Sequence, residues 1–375
     1  MKELYRGSKK IEGAKRMLED KLKKEVKVEM EHIDTHKCRF MGVVNTYDIT
    51  LVEKDFKYTK SILNKEFGGA SVLPIDKDGN VFLEIQYRFP IREAIIELPA
   101  GRSDLGETFL DCAKRELREE TGCVANEIIE MPSILAQPEF TDESLGCFIA
   151  LECEKRSEQS LDSDESVYVI KMPFEVATKL VKRNVITDER TIVAIGEARC
   201  IQGLRFGTLP NDVDKIIDDL KNEIEIQGKK LEEKDVGIDY TEICEFGIVQ
   251  DHIVKVPGNK NSRRECFYVK AGELVLPISR SGKIGFLVRY MPSVGKNLVQ
   301  LPCRLDFNKG TNFEEFGEMV TAVGYANDRQ YMFLARELEE SEEFIWLSRD
   351  EIIEAVKSEK IVDGRVLASV FKYLL

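Results

Sequence analysis

The chain has 375 residues, 43% of them hydrophobic and 33% charged, and its formal net charge at pH 7 is −13. These values are typical of a globular chain long enough for two domains, and the negative charge argues against broad binding to nucleic acids or anionic membranes. A local basic pocket for a diphosphate stays compatible with that charge. The nine cysteines form no C-x-x-C pair, and no apolar run has the length of a signal peptide or membrane span. We therefore expect reduced thiols in the cytoplasm.

The N-terminal region is predicted to form one helix followed by strands. Its apolar residues recur at helical spacing amid charges of both signs, at Ile11, Ala14, Leu18 and Leu22. This stripe predicts an amphipathic helix, and the mixed charges favour packing against the protein over contact with a membrane. Residues 38–63 contain short runs of β-branched and aromatic residues, which predict short strands before the main sheet.

A strand, a turn and a second strand are predicted next. Residues 72–75 and 81–90 are rich in apolar and β-branched residues, and residues 76–80 between them carry the aspartates and the glycine of a turn. Residues 95–101 then lead into a segment with the features of a helix. This order of elements predicts a mixed α/β domain.

The predicted helix covers residues 109–120. Thr108 and Asp111 have the spacing of a capping box, and Gly122 suits the left-handed conformation that ends many helices. Three glutamates are related as i, i+3 and i+4 and therefore project from one face, namely Glu116, Glu119 and Glu120.

Three carboxylates on one helix face suggest a metal site. Like charges so close repel each other unless a cation is present, and hard oxygen ligands suit Mg²⁺ or Mn²⁺. Arg115 can neutralise and orient one carboxylate, and Glu107 is expected to orient this arginine or its loop. The alternative is that a helix rich in glutamate and arginine is only a solvated face with i,i+4 ion pairs.

The string from Gly101 to Cys123 resembles, position for position, the Nudix box G-x5-E-x7-R-E-U-x-E-E-x-G-U, in which U is a bulky apolar residue. Cys123 stands at the last U. The segments 86–88 (QYR) and 97–101 (ELPAG) resemble those of the ADP-ribose pyrophosphatase branch of Nudix hydrolases, and Pro138 stands fifteen residues after Cys123, as in that branch. The resemblance implies the Nudix α/β/α sandwich with a mixed sheet.

The resemblance also implies roles for individual residues. The expected metal ligands for Mg²⁺ or Mn²⁺ are Glu116, Glu119, Glu120 and the Ala100 carbonyl. The expected substrate-binding residues are Arg88, Glu97, Gly101 and Pro138, although Arg88 and Glu97 could equally be an edge charge and a structural partner. Arg115 and Glu119 are expected to be catalytic. The general base is expected in an acidic loop outside the box, with Asp162, Asp164, Glu165 and, as their competitor, Glu143 as candidates.

Three functions follow from this resemblance. The first is hydrolysis of the pyrophosphate bond of ADP-ribose or a similar nucleoside diphosphate sugar to AMP and a sugar phosphate. The second is a Nudix hydrolase for another nucleoside diphosphate derivative, because the box specifies diphosphate chemistry but not the appended group. The third is a protein that binds ADP-ribose without turnover, and the intact glutamates argue against this reading for the first half.

An internal repeat divides the chain. Residues 275–290 repeat residues 72–87 at an offset of 203, whereas Ile361-Val-Asp363 follows Ile186-Thr-Asp188 at an offset of 175, so the second copy is 28 residues shorter. The missing part is the box helix, which predicts a second Nudix-like copy without catalytic activity. The predicted domains are an N-terminal helix and strand (1–36), a catalytic Nudix domain (37–202), a helical connector (203–236) and a degenerate Nudix-like domain (237–375). Because such pyrophosphatases are commonly dimers, we expect an intramolecular pseudo-dimer, with a homo-oligomer left open.

Overall fold

The computed structural model describes most of the chain from residue 68 onward and shorter segments before it. The described residues are 13, 16–23, 28–34, 45–51, 56–62, 68–139, 141–162, 165–207, 209–244, 247–257, 261–291 and 293–375. Among them, no helix combines the length and the apolar character that crossing a lipid bilayer requires.

The N-terminal region forms helix α1 (residues 16–22) and a three-stranded antiparallel sheet. The strands are β1 (Val28–Asp34), β2 (Asn45–Leu51) and β3 (Phe56–Ile62). Leu18 is buried and packs with Leu22 against the main core, which confirms the predicted packing role of this helix. Ile11 and Ala14 of the predicted stripe lie outside the described residues.

Two sheets form the centre of the first half. The first has the order β7-β4-β10-β9, with β4 (Gly69–Pro74), β7 (Ala100–Arg102), β9 (Glu127–Leu135) and β10 (Ser144–Leu151). The second has the order β12-β5-β6, with β5 (Asn80–Arg88), β6 (Glu93–Glu97) and β12 (Val167–Pro173). Two short strands, β8 (Cys123–Val124) and β11 (Glu154–Lys155), pair with each other. Because β4 and β10 are parallel and their other neighbours antiparallel, the sheet is mixed, as predicted.

Helices cover both faces of this mixed sheet. Helix α2 (Phe109–Thr121) packs Ala113 and Leu117 on Val72 of β4. Leu73, the next residue along β4, faces the opposite core, to which helices α3 (Phe174–Lys182) and α4 (Glu189–Cys200) contribute. Successive residues of a strand point to opposite faces, so this alternation produces the α/β/α sandwich.

The second half begins with α5 (Val213–Leu231), which packs on β5 and β6, and with an antiparallel sheet of three strands. These strands are β13 (Lys234–Cys244), β14 (Gly247–Lys255) and β15 (Asn261–Val269). The following sheet contains β16 (Gly272–Ser279), β17 (Ile284–Met291), β18 (Lys296–Gln300), β19 (Glu314–Val320), β20 (Arg329–Leu338) and β21 (Ile345–Leu347). Helices α6 (Arg349–Lys357) and α7 (Gly364–Leu374) complete it.

The second half repeats part of the order of elements of the first, and its described residues contain no counterparts of β7, α2, β8 and β11. Strands β16 and β20 are parallel, as β4 and β10 are, and α6 and α7 follow as α3 and α4 do. Between β18 and β19 the chain forms only a 3₁₀ turn (Arg304–Asp306), whereas α2 occupies the corresponding interval of the first half. The described residues of this interval contain no α-helix, and a second Nudix-like copy stays a prediction.

The two halves pack closely along α4 and α7. Both helices start at an aspartate whose side chain caps the helix, Asp188 for α4 and Asp363 for α7. A Cβ atom on Gly196 of α4 would overlap the buried side chain of Phe371 of α7. The small residue therefore sets how closely the two helices approach.

We expect Gly196→Ala to destabilise the protein by about 1–3 kcal/mol, because the added methyl group must displace a packed side chain. Chemical denaturation of the full chain measures this change. Gly237→Ala is the matched control, since no heavy atom lies within 4 Å of a Cβ at that position. Equal stability of the two variants would contradict the close packing described here.

Candidate active site

Helix α2 has the ends that the sequence predicts. The Thr108 hydroxyl accepts a hydrogen bond from the Asp111 amide at 3.1 Å and donates one to its carboxylate at 2.7 Å. Gly122 is left-handed (φ 73°), and its amide donates to the Arg118 carbonyl at 2.9 Å. The predicted helix is confirmed and ends one residue later than expected, at Thr121.

The glutamates of α2 have different environments. Glu116 and Glu120 are buried, whereas the Glu119 side chain keeps 39% of its accessible surface. A Cβ atom on Gly101 would overlap the carboxylate of Glu116, so only glycine allows β7 to approach this glutamate so closely. The amide of Ala100 donates to Glu120 Oε2 at 2.9 Å. The short strand β7 therefore holds the predicted ligands Ala100, Glu116 and Glu120 together.

Arg115 connects the helix to the loop before it. Its guanidinium bonds Glu116 Oε1 at 2.6 Å, Glu119 Oε2 at 3.1 Å and both carboxylate oxygens of Glu107 at 3.0 Å. It also donates to the Arg102 carbonyl at 2.8 Å. The hydrogen bonds from Arg115 lower the pKa of Glu107. The structure thus gives Glu107 the orienting position that the sequence predicts.

Burial and mutual repulsion raise the pKa values of the two inward glutamates. Burial raises the pKa of Glu116 to about 7, and the charges of Glu165 and Glu119 add to the effect. Burial also raises the pKa of Glu120 well above its usual range, with further contributions from Glu84, Glu116 and Glu165. Carboxylates held this way are neutral or need a cation beside them.

Glu84 of β5 belongs to this cluster, although the sequence analysis did not select it. Its side chain is 1% exposed, and no described residue hydrogen-bonds to its Oε1 atom. Burial raises the pKa of Glu84 well above its usual range, and the charge of Glu97 adds to it. A charged residue between the apolar residues 81–83 and Ile85 was the available signal for this position.

A buried ion-pair network lies beside the cluster. Arg88 binds Glu97 through two hydrogen bonds of 2.7 Å, and Arg190 binds both Glu97 and Asp188. Although burial raises it, these two guanidiniums leave the pKa of Glu97 below its usual value. Arg88 and Glu97 therefore form an ion pair with each other. The sequence did not indicate Arg190 as a site residue because it is 93 residues from Glu97 along the chain. The position of α4 in the fold brings the two side chains together.

The base candidates fall in different places. The charge of Glu165 contributes to the raised pKa values of Glu84, Glu116 and Glu120, so this residue lies near the cluster. Asp164 lies outside the described residues, and the Asp162 amide contacts the Glu165 carboxylate. Glu143 instead accepts a hydrogen bond of 2.8 Å from the Tyr325 hydroxyl of the second half, and burial raises its pKa.

Pro138 also contacts the second half, because its carbonyl accepts a hydrogen bond from the Ser293 hydroxyl. Gln137 beside it donates to Thr321 at 3.1 Å and also to Asp328. Tyr325 and Ser293 were not selected from the sequence, because nothing in the local pattern shows that a segment 150 or more residues away reaches this loop.

The donor set can be compared with the needs of a divalent cation. In the described part of the chain, no three carboxylate, histidine or cysteine side chains are already gathered as a metal cage. Arg115 occupies oxygens of Glu116 and Glu119, so an ion would have to compete with this guanidinium. The donors are nevertheless all oxygens, and the buried Oε1 of Glu84 is left unpaired by the described residues. This set fits a hard cation such as Mg²⁺ or Mn²⁺.

Comparison with known proteins relates this region to a family. Residues 66–192 match the NUDIX domain. The chain is 35% identical over 140 residues to the ADP-ribose pyrophosphatase of Bacillus subtilis (strain 168), which covers 37% of this chain and 76% of that protein. It is 32% identical over 129 residues to the methanol dehydrogenase activator of Bacillus methanolicus, covering 34% and 70%. It is 28% identical over 159 residues to the GDP-mannose pyrophosphatase of Cronobacter sakazakii, covering 40% and 83%.

The raised pKa of Glu116 predicts how stability depends on pH in the presence of a chelator. Its pKa rises from an ordinary 4.5 to about 7 in the folded chain, so the native state favours the neutral acid. This stabilisation is present below about pH 4.5 and is lost as the pH rises to about 7, a change of about 3 kcal/mol. We expect urea unfolding at several pH values to show this decline for the wild type relative to Glu116→Gln. Parallel pH profiles of the two proteins would contradict the assignment.

Proposed function

This chain belongs to the Nudix hydrolase family, and on that premise we propose that it hydrolyses the pyrophosphate bond of ADP-ribose or a similar nucleoside diphosphate sugar. The products are AMP and a sugar phosphate. The observation that supports this proposal most directly is the complete box helix, which turns the carboxylates of Glu116 and Glu120 inward beside Ala100. The similarity to an ADP-ribose pyrophosphatase supports the substrate class.

The proposed cofactor is Mg²⁺ or Mn²⁺, held by Glu116, Glu119, Glu120 and the Ala100 carbonyl. When bound, such an ion neutralises charge on the pyrophosphate oxygens and lowers the pKa of an attacking water. Arg115 restrains two of these carboxylates through its hydrogen bonds, so it positions the ligands before the ion arrives. A restrained set loses less conformational entropy on binding than a flexible one.

For the general base we propose Glu165. Its charge acts on the buried glutamates, and a base must lie close to the water that it deprotonates. Asp164, in the same loop, stays a predicted candidate for the general base. Glu143 is a weaker candidate because its carboxylate already accepts the Tyr325 hydroxyl. The contact of Glu143 with the second half suits a role in holding its own loop, which also contains Pro138, in place.

The substrate-binding roles of Arg88, Glu97, Gly101 and Pro138 are also proposals. Arg88 follows Glu84 at an even interval along β5, and Leu83 and Ile85 face the hydrophobic core instead. Arg88 therefore points to the same side of the sheet as Glu84. Glu97 fixes its guanidinium by two hydrogen bonds, which suits the recognition of a phosphate or ribose group.

Another nucleoside diphosphate derivative is the second candidate substrate. The chain resembles a GDP-mannose pyrophosphatase as well as an ADP-ribose pyrophosphatase, and both carry diphosphate in their named substrates. The box residues act on the diphosphate and leave the appended groups to other parts of the pocket.

A cytoplasmic location is supported by the seven described cysteines, all of which are free thiols.

We expect Glu120→Gln to lose turnover by a factor on the order of 100 or more while nucleotide binding is retained. The assay uses ADP-ribose, GDP-mannose and ADP-glucose with Mg²⁺ and with Mn²⁺, and calorimetry measures binding. Glu130→Gln, an exposed position on β9, is the control and should match the wild type. A wild type that binds ADP-ribose without hydrolysing any compound of the panel would instead indicate a sensor.

For the second half we propose a role as a built-in partner in an intramolecular pseudo-dimer with one active site. Three contacts on the catalytic half support it. Tyr325 binds Glu143, Ser293 binds the Pro138 carbonyl, and Arg329 binds Glu93 at the start of β6 at 2.9 Å. These contacts tie the loop before β10 and the start of β6 to the second half.

We expect Tyr325→Phe to lower kcat/KM about 10-fold, because Glu143 loses a hydrogen bond worth about 1 kcal/mol and its loop loses a restraint. Steady-state kinetics with ADP-ribose measure this effect. Tyr331→Phe removes the same hydroxyl from a half-exposed tyrosine of β20 and should leave the kinetics unchanged. Equal kinetics for both variants would argue that the second half only stabilises the first.

A further inference from the structure

Glu84 occupies an unusual position for an unpaired carboxylate. It lies in the central strand of the β12-β5-β6 sheet, directly opposite Glu97 of β6 and Val169 of β12. Its neighbours along β5, Leu83 and Ile85, face the hydrophobic core, so Glu84 faces the other side of the sheet. Residues directly opposite in antiparallel strands share a face, so Glu84 and Glu97 face the same side.

The groups around Glu84 are carboxylates. The charges of Glu97, Glu116 and Glu165 raise the pKa of Glu84. The charge of Glu84 in turn raises the pKa of Glu120. Arg88 is the only cation among the main influences on Glu84, and its hydrogen bonds go to Glu97 instead. Glu84 is 1% exposed, and its Oε1 atom has no hydrogen-bond partner among the described residues.

Such an arrangement is unfavourable by itself. A buried polar atom without a partner weakens the fold, and an apolar side chain would serve a purely structural role at the centre of a sheet better. Phe82, two residues before Glu84 and on the same face of β5, packs against the apolar cluster that contains Ala113 and Leu117 of α2. Glu84 therefore faces the side of the sheet that α2 covers. The charged residues that influence Glu84 come from β5, β6, α2 and the loop before β12.

We propose that Glu84 is an additional carboxylate ligand of the divalent cation, contributed by the sheet and facing the glutamates of helix α2. The inference rests on the proposed function only in that it concerns the same cation. It adds a residue outside the box to the ligand set. A cation would give the unpaired oxygen a partner and would offset the repulsion among the buried carboxylates.

The test measures Mn²⁺ binding by the full chain without any nucleotide, using electron paramagnetic resonance of free Mn²⁺ or calorimetry. We expect Glu84→Gln, which keeps the shape and removes the charge, to weaken Mn²⁺ binding at least about 10-fold. The thermal stabilisation of the wild type by Mn²⁺ should shrink in parallel. Glu130→Gln removes one charge from the exposed face of β9 and should bind Mn²⁺ as the wild type does.

Glu84→Asp is the second variant, because it keeps the charge and withdraws it by one methylene. We expect it to weaken Mn²⁺ binding as well, so the inference stays testable if the glutamine variant fails to fold. Unchanged Mn²⁺ affinity in either folded variant would overturn the proposal and leave Glu84 as a buried neutral acid. A wild type without measurable Mn²⁺ affinity would overturn it too.

These outcomes separate the inference from the proposed hydrolysis. If the wild type cleaves no compound of the panel but Mn²⁺ binding depends on Glu84, the hydrolase proposal fails and the ligand assignment stands. If the wild type cleaves ADP-ribose and Glu84→Gln binds Mn²⁺ normally, the ligand assignment fails and the hydrolase proposal stands.

Discussion

Repulsion among buried carboxylates is the constraint on which the rest of the site depends. Glu84, Glu116 and Glu120 are each less than a tenth exposed, and they influence one another's ionisation. Without a counter-charge, burial would keep these acids neutral and would favour their replacement by apolar residues. In the fold, the guanidinium of Arg115 bonds Glu116 and the amide of Ala100 bonds Glu120. A divalent cation bound beside these carboxylates would offset their repulsion and so stabilise the folded chain.

The same constraint explains the arrangement of the neighbouring elements. A glycine at position 101 lets β7 touch Glu116, and a left-handed glycine at position 122 ends α2 just after Glu120. On the other side, Glu97 gathers Arg88 and Arg190 into a network that balances positive and negative charge. The buried acids of α2 and the guanidiniums of this network thus have separate partners.

The second half contains a polar network that corresponds to part of the network around Glu97. At the position of Glu97 it carries Gln300, which binds Asp363, while Arg365 binds both. An amide thus replaces one carboxylate, and Met291 stands at the position of Arg88. Arg365 also pairs with Glu139 of the first half at 2.6 Å. Networks like these, together with α4 and α7, join the halves through buried polar contacts as well as apolar packing.

Local patterns were sufficient for the box helix. Its two ends depend on hydrogen bonds within four residues, and its ligand face depends on helical periodicity, so Thr108, Gly122 and Glu116 could be assigned from sequence. The strand and turn before it were equally local, because Asp76 bonds the amides of Asp78 and Asn80 within the turn. These predictions required no knowledge of how distant segments meet.

By itself, the sequence determined the family, the mixed α/β class, the box helix and the shortening of the second copy, since each depends on neighbouring residues or on direct repetition. Only the tertiary structure showed that Glu84 joins the carboxylates, that Arg190 reaches Glu97 and that Tyr325 reaches Glu143. The physical reason is that burial, electrostatic coupling and hydrogen bonding between remote segments depend on distances in space. A pattern along the chain carries no direct record of those distances.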